Sequence, residues 1–336
     1  MERSGAVGAD RRLAGAVAQG PGSAAAQALN HRSKSSVRAV SQRTTDRGSA
    51  RTFPLDLNSS LQPDCVPPAW CCLISINSGA GLADRDDAEE NVLLAIFADI
   101  HANRQAFSAC LDFARARGAE RIICLGDYVG YGADPEWTVE TVMGLVDSGA
   151  VAVRGNHDNA ISNTESMNAQ AQAAIEWTRG RLSAVQRGFL ADLSLTLHEE
   201  DRFYVHSEAS YPAKWRYVQD SSDAARSIQA TSARITFCGH IHQPALYSMS
   251  SVAKMTSFVP TSGVPVQLLG GRRWLAIIGS VGQPRDGDSA ACFAMFDTGT
   301  REITYCRVPY DVEAAAARIR ENGLPLWLAD RLLLGR

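Results

Sequence analysis

Residues 92–101 read VLLAIFADIH, an apolar run that ends in an aspartate and a histidine. A continuous apolar run of this length is typical of a β-strand that is buried on both faces. A helical stretch follows over residues 104–117, and Gly118 is a suitable residue to end it. The segment therefore predicts a strand followed by a helix, with polar side chains placed directly after the strand.

The same unit recurs along the chain. Asp134 followed by Pro135 predicts the start of a helix. Ser183 and Gln186 have the spacing of a capping box for a helix that runs to about Leu193. This alternation of strands and helices predicts an α/β fold. Short apolar segments predict four further strands, at residues 121–125, 151–153, 203–205 and 235–238.

Every one of these predicted strands is followed by His, Asp or Asn. Ligands bind at the carboxyl ends of strands in open α/β sheets, because the loops converge there. One histidine after a strand is commonly a core residue, and one asparagine is commonly a turn residue. Five successive strand ends with the same chemistry are not explained by packing. Five of the seven histidines take part, namely His101, His157, His206, His240 and His242, whereas His198 is expected in a solvated turn.

These residue types suit two divalent cations. Two cations about 3.5–4 Å apart need one carboxylate that bridges both. Imidazole, carboxylate and amide ligands favour Mn, Fe, Zn or Ni over calcium. The candidate ligands are Asp99, His101, Asp127, Asn156, His206, His240 and His242.

The composition of the 336-residue chain excludes few classes of function. A net charge of −3 gives no reason to expect a nucleic-acid partner, and no apolar run is long enough to span a membrane. Residues 1–90 show no apolar periodicity and are predicted to be disordered, so that residues 91–336 form a single domain. Residues 1–60 hold nine Lys or Arg and four Asp or Glu. This composition leaves an organelle-targeting segment open, beside a dispensable extension or upstream sequence translated from a wrong start.

The cysteines of residues 91–336 lie singly among apolar residues and have no CxxC spacing. Such cysteines usually behave as small buried hydrophobic residues. They predict a reducing, cytoplasmic location. They are Cys110, Cys124, Cys238, Cys292 and Cys306.

The order of the motifs resembles the calcineurin-like metallophosphoesterase superfamily, and more narrowly its compact prokaryotic phosphodiesterase branch. The resemblance covers about residues 91–336. It implies a four-layer sandwich of two mixed β-sheets flanked by helices. Ser207 departs from the glycine common at that place, and Ile277-Ile278 departs from the common Asn-Pro. The matching blocks are Asp99-x-His101, Gly126-Asp127-x-x-Gly130-Tyr131, Gly155-Asn156-His157-Asp158, His206, Gly239-His240-x-His242, the loop at 279–287 and Val308-Pro309-Tyr310-Asp311.

The resemblance also implies roles for single residues. Asp127 matches a carboxylate that bridges two metals, and His157 matches a histidine that stabilises or protonates the leaving oxygen as an imidazolium. Asp158 is expected to orient His157. The metal-bridging hydroxide would attack phosphorus in line. The remaining ligands divide into Asp99, His101 and His242 for one metal and Asn156, His206 and His240 for the other.

Arg285 has two open interpretations. It could pair with a phosphate oxygen of the substrate. It could equally form a structural salt bridge with Asp286 or Asp288.

The implied activity is hydrolysis of a small phosphoester, with phosphodiesterase as the first expectation. A phosphomonoesterase or phosphoprotein phosphatase would use the same site, although short loops between the motifs leave little room for a cap. A non-catalytic scaffold would have lost ligand positions, and all seven are present here. A nucleotide-binding α/β protein is disfavoured because no glycine-rich phosphate loop follows a strand. The oligomeric state is left open.

Overall fold

The computed structural model describes residues 91–336, and the disorder predicted for residues 1–90 lies outside the described residues. The strands are β1 Leu93–Phe97, β2 Arg121–Cys124, β3 Val151–Ala152, β4 Thr196–Glu199, β5 Arg202–Val205, β6 Ile235–Cys238, β7 Ala245–Ser250, β8 Met255–Phe258, β9 Pro265–Gln267, β10 Arg272–Ile277, β11 Ala291–Asp297 and β12 Glu302–Val308. The helices are α1 Arg104–Ala116, α2 Pro135–Asp147, α3 Asn156–Ser162, α4 Ala169–Arg181, α5 Ala184–Asp192, α6 Ser221–Gln229, α7 Val312–Glu321 and α8 Leu326–Leu334, with a 3-10 turn at Pro212–Lys214.

Two six-stranded sheets form the centre of the fold. Their strand orders are β3-β2-β1-β11-β12-β9 and β4-β5-β6-β10-β7-β8. The neighbours β1, β2 and β3 are parallel, and so are β5, β6 and β10. Because β11 and β7 pair antiparallel with their neighbours, both sheets are mixed. The α/β fold with two mixed sheets is confirmed.

The apolar run of β1 is buried on both faces. Leu94 and Ile96 point between the sheets, into a core shared with Phe237 of β6. Phe97 points the other way and packs against Phe107 of α1, with ring centroids 5.6 Å apart. On the far side, α6 covers the second sheet. The order of layers is therefore helix, sheet, sheet, helix, which is the predicted four-layer sandwich.

Two sequence-based expectations need correction. The pattern of strand ends alone favoured one open sheet, whereas the family resemblance implied two; in the structure β1, β2 and β3 belong to one sheet and β5 and β6 to the other. Each sheet also contains a strand from much later in the chain, because β1 pairs with β11 and β6 pairs with β10. His198 is exposed as expected, but it lies in β4, where it pairs opposite Phe203 of β5, and not in a turn.

Two simpler expectations can be compared directly with residues 91–336. The five cysteines of this range are free and buried. No helix within this range combines the length and the apolar character needed to cross a bilayer.

Candidate metal centre

The predicted ligands follow the carboxyl ends of β1, β2, β3, β5 and β6, where the two sheets meet. Five of them have backbones in the left-handed region, which is unfavourable for residues other than glycine. Such conformations persist where surrounding structure holds them, and they cluster at functional sites. The residues and their φ angles are Asp99 (54°), His101 (49°), Asp127 (55°), His240 (71°) and His242 (63°).

The side chains form two adjoining groups with Asp127 in both. In each group the candidate ligand atoms lie within 4.8 Å of one another, and every member is buried. Oδ2 of Asp127 lies 3.7 Å from Nε2 of His101 in the first group and 3.3 Å from Nε2 of His206 in the second. The first group consists of Asp99, His101, Asp127 and His242, and the second of Asp127, His206 and His240.

His101 and His242 present lone pairs to each other. Nδ1 of His101 donates to the carbonyl oxygen of Val129 at 3.1 Å, and Nδ1 of His242 donates to that of Gln283 at 2.7 Å. Since a carbonyl only accepts, the proton of each neutral ring is on Nδ1. The two Nε2 atoms lie 3.1 Å apart. Burial above all lowers the pKa of both rings well below 6.5, so neither nitrogen carries a proton that could join them.

The second group is arranged in the same way. Nδ1 of His206 donates to the carbonyl oxygen of Leu125 at 2.8 Å, and Nε2 of His240 donates to that of Trp215 at 2.8 Å. The inward nitrogens of the two rings are 3.1 Å apart. Oδ1 of Asn156 lies 3.2 Å from Nε2 of His206, which places this amide with the group.

The donor set fits divalent cations. Outward hydrogen bonds from imidazole to carbonyl are the usual way in which metal-binding histidines are oriented. Oδ1 of Asp99 is buried without a hydrogen-bond partner among residues 91–336, and it lies 3.3 Å from Nε2 of His242. Converging lone pairs and an unpaired carboxylate oxygen are unfavourable in a dry interior unless a cation lies between them.

Burial and neighbouring charges shift the pKa values of this cluster in opposite directions. Burial favours the neutral form of Asp127, but His206 and then His157 hold the pKa of Asp127 well below its usual range. Burial also opposes a proton on His206, yet the charge of Asp127 raises the pKa of His206 to about 9. Burial raises the pKa of Asp99 to about 7. Without a cation, a proton on His206 therefore balances the charge of Asp127.

Residues 92–301 match the family model described as the calcineurin-like phosphoesterase superfamily domain. The chain belongs to the calcineurin-like phosphoesterase superfamily. It is 34% identical over 252 residues to an uncharacterized protein from Methanocaldococcus jannaschii, covering 73% of this chain and 98% of that protein. A metallophosphoesterase crystal structure from Sphaerobacter thermophilus has 32% identity and a TM-score of 0.66, covering 73% of this chain and 100% of that one. A hypothetical protein from Pyrococcus horikoshii OT3, with 20% identity, a TM-score of 0.60 and coverage of 73% and 99%, shares the fold.

Asp158 of this phosphoesterase does not orient His157, contrary to the sequence-based expectation. Its Oδ2 accepts from the main-chain N–H groups of Asp127 at 2.8 Å and Gly155 at 2.9 Å. Its Oδ1 accepts from the N–H of Tyr128 at 2.9 Å. Asp158 is the third residue of α3, so its carboxylate turns back to the free N–H groups at the start of the helix. It holds the loop that carries Asp127.

His157 lies beside the first group. Its ring centroid is 4.5 Å from that of Tyr131 and 4.8 Å from that of His101. Its Nδ1 is buried without a hydrogen-bond partner among the described residues. Burial, and then the charges of Arg285 and His206, lower the pKa of His157 to about 4 against the opposing charge of Asp127. The ring is therefore neutral near pH 7, and the expected imidazolium is not favoured here.

The contacts of Arg307 in β12 distinguish between the two interpretations of Arg285. Arg307 forms an ion pair with Asp286, and its Nε lies 3.7 Å from Asp288. Arg285 has no ion pair with an acidic side chain in residues 91–336. Its guanidinium lies over the ring of Tyr131 instead, 5.7 Å from the centroid.

The cluster opens into a polar cavity of about 130 Å³. Sequence reasoning missed Tyr217, which stacks on His240 with centroids 4.3 Å apart. It also missed the carbonyl of Trp215 and the side chain of Gln283, because neither belongs to a metal-ligand motif. Lining residues include Asp127, Tyr131, Asn156, His157, Tyr217 and Arg285.

Proposed function

We propose that this phosphoesterase uses two divalent cations to hydrolyse a phosphodiester. The observation that carries the proposal is the convergence of four inward imidazole nitrogens on the two sides of Asp127. We assign one cation to Asp99, His101 and His242 and the other to Asn156, His206 and His240. Asp127 would be a ligand of both, because it belongs to both groups. Mn, Fe, Zn or Ni suits this ligand set, and manganese is the first metal to test.

Cations bound there would supply a nucleophile at neutral pH and neutralise charge on the phosphoryl oxygens. The chain's own residues do the rest. His157 donates a hydrogen bond from its N–H to the leaving oxygen and keeps its proton, so its neutral ring stabilises the negative charge that develops there. Tyr131 packs against His157 and holds the ring beside the cluster. Asp158 acts through the main chain as a positioning residue for Asp127.

The preference for a diester rests on the charges that line the cavity. Arg285 is the one lysine or arginine among the described residues that line it. A diester carries one negative charge at phosphorus, whereas a monoester carries up to two at neutral pH. Because no further lysine or arginine among the described residues lines the cavity to offset a second charge at phosphorus, the lining suits a scissile monoanion, and Arg285 contacts an anionic oxygen of the substrate.

The test compares two chromogenic esters with the full-length protein. Treatment with chelator is followed by addition of Mn²⁺, and hydrolysis of bis(4-nitrophenyl) phosphate and 4-nitrophenyl phosphate is measured. We expect activity only with metal, a higher kcat/KM for the diester, and loss of both activities in Asp127→Asn. Asp112→Asn, on the exposed face of α1, is the matched control and should behave as wild type. Hydrolysis that survives chelation contradicts the use of metal, and turnover of the monoester alone contradicts the diester preference.

The location of the protein follows from chemistry rather than from the fold. We infer a reducing, cytoplasmic compartment from the five free and buried cysteines of residues 91–336. Fractionation of cells that express the full-length chain tests this, and recovery in an organelle or outside the cell would contradict it.

A further inference from the structure

Arg285 has a second guanidinium beside it, which comes from the C-terminal helix. Oε1 of Gln283 accepts from Nη2 of Arg285 at 2.9 Å and from Nη1 of Arg331 at 3.1 Å. Arg331 lies in α8, 48 positions after Gln283. One amide oxygen therefore holds two cationic side chains from separate parts of the chain, and one of them, Arg285, lines the cavity.

Neither guanidinium forms an ion pair with an Asp or Glu side chain in residues 91–336. The Nε of Arg331 donates to the carboxyl oxygen of Arg336, whereas Nη1 of Arg331 faces Gln283. The nearby acids Asp286 and Asp288 pair with Arg307 instead. Burial, and then the charge of Arg285, lower the pKa of Arg331 to about 10, so it is still a cation at neutral pH. Two like charges that share one neutral acceptor repel each other unless an anion joins them.

Both side chains are fixed in place before any ligand arrives. The guanidinium of Arg331 lies over Trp327, 4.3 Å from the ring centroid, as that of Arg285 lies over Tyr131. Gln283 is 1% exposed, and its Nε2 is buried without a hydrogen-bond partner in the described residues. The main-chain oxygen of Gln283 accepts from Nδ1 of His242, which ties the arginine pair to the metal ligands. Two planar, stacked guanidiniums that are held on one acceptor atom are suited to bind phosphate or carboxylate.

We propose that Arg285 and Arg331 form a second anion site, which receives a phosphate or carboxylate of the substrate that is separate from the scissile phosphodiester. The inference rests on the proposed phosphodiesterase function, and it narrows the substrate class to diesters that carry a further anionic group. Gln283 sets the distance between the two guanidiniums. Arg331 is a binding residue that no motif indicated.

The test uses pairs of substrates that differ only in charge. The substrates are 4-nitrophenyl alkyl phosphates whose alkyl chain of two to five carbons ends in a phosphate or in a neutral amide. With the full-length protein, Mn²⁺ and constant ionic strength, we expect the charged member to have the higher kcat/KM at one chain length, by about tenfold or more. Arg331→Gln should reduce that ratio about tenfold, and Arg331→Lys should recover part of it. Arg320→Gln, an exposed arginine paired with Asp330 at 3.1 Å, is the matched control and should keep the wild-type ratio.

A second measurement does not depend on turnover. Inorganic pyrophosphate binding to the chelator-treated protein, followed by calorimetry, should be about tenfold weaker in Arg331→Gln than in wild type. Circular dichroism and thermal unfolding establish that each variant is folded, and Arg331→Lys provides the comparison if the glutamine variant is not. Equal ratios at every chain length, or equal pyrophosphate affinity in the folded variants, would overturn the second anion site. Absence of turnover of both substrates by wild type would contradict the proposed function instead.

Discussion

His101 and His242 face each other through two acceptor nitrogens, with their Nε2 atoms 3.1 Å apart and each Nδ1 committed to a carbonyl oxygen. This contact is repulsive in the absence of a cation, because both lone pairs are buried. At His206 and His240 the inward nitrogens are also 3.1 Å apart, but there a proton on His206 balances the charge of Asp127. The unfavourable contact that metal binding relieves is therefore the one between His101 and His242.

Metal removal should therefore lower stability. At a metal concentration about 1,000-fold above the dissociation constant, binding contributes about 4 kcal/mol, which corresponds to roughly 10 °C in Tm for a domain of this size. Differential scanning calorimetry with and without chelator measures the shift. His242→Ala should abolish most of it, whereas the exposed His198→Ala should keep it. An unchanged Tm on chelation would contradict a metal centre built from these residues.

Metal affinity should rise with pH. The pKa of His206 is raised to about 9, so below pH 9 a cation must displace its proton. Apparent affinity should increase about tenfold per pH unit between pH 7 and 9 and level off above that range. Below about pH 7 the slope should steepen, because the pKa of Asp99 is raised to about 7 and its proton must leave as well. Calorimetry in buffers of different ionisation enthalpy measures the released proton, and affinity that is independent of pH from 7 to 9 would refute this balance.

Gly155→Ala should damage the site without removing a ligand. A Cβ at Gly155 would lie 2.1 Å from Oδ1 of Asp127, a contact that forces the carboxylate to move. We expect metal affinity and kcat to fall at least about tenfold, as when a positioning contact to a metal ligand is lost. Gly144→Ala in α2 is the matched control, because nothing lies within 4 Å of its Cβ position. That control should stabilise the helix by about 1 kcal/mol. Equal metal affinity in the two variants would disprove the steric account.

Asp158→Asn should weaken both the fold and the metal centre. In wild type both carboxylate oxygens of Asp158 accept from main-chain N–H groups. The asparagine keeps one acceptor oxygen, but its NH₂ group would point at the remaining N–H donors and could not accept from them. Loss of charge-assisted hydrogen bonds should lower the free energy of unfolding by about 2–3 kcal/mol. Since Asp158 acts through Asp127, metal affinity should fall together with kcat. The exposed Asp147→Asn is the control, and a kcat loss with unchanged metal affinity would point to a direct catalytic role.

His157→Gln should slow the hydrolysis of esters with poor leaving groups more than that of esters with good ones. Because the N–H of His157 stabilises charge on the leaving oxygen, and an alkoxide needs that more than 4-nitrophenolate does, an alkyl ester should lose about 100-fold or more in kcat, while the 4-nitrophenyl ester loses much less. KM and metal affinity should change little, because His157 is not an assigned ligand. The ratio of the two kcat losses is the measurement. Equal losses for both leaving groups would contradict a contact between His157 and the leaving oxygen.

Much of the site could be predicted because its chemistry is local. A buried apolar run followed at once by Asp, Asn or His is visible in one dimension, and the observed strands agree with those runs to within a residue or two. The capping box at Ser183 and Gln186 was equally local, and it is present in the structure. Asp134 shows the limit, because it begins α2 but its carboxylate pairs with Arg318 at 2.6 Å instead of capping the helix.

The residue types that follow the strands are local features of the sequence, and they were enough to indicate the family and the class of reaction. How the strand ends of two separate sheets come together around Asp127 depends on long-range folding. The tertiary structure also decided which nitrogen of each imidazole faces inward, because His206 and its carbonyl partner are 81 positions apart and His242 and its partner 41. The partners of Arg285 also depend on residues that are distant in sequence. Arg307 pairs with the acids next to Arg285, and Arg331 shares the side-chain oxygen of Gln283 with Arg285. Hydrogen bonds and ion pairs of this kind depend on distances in space, which local sequence patterns do not encode.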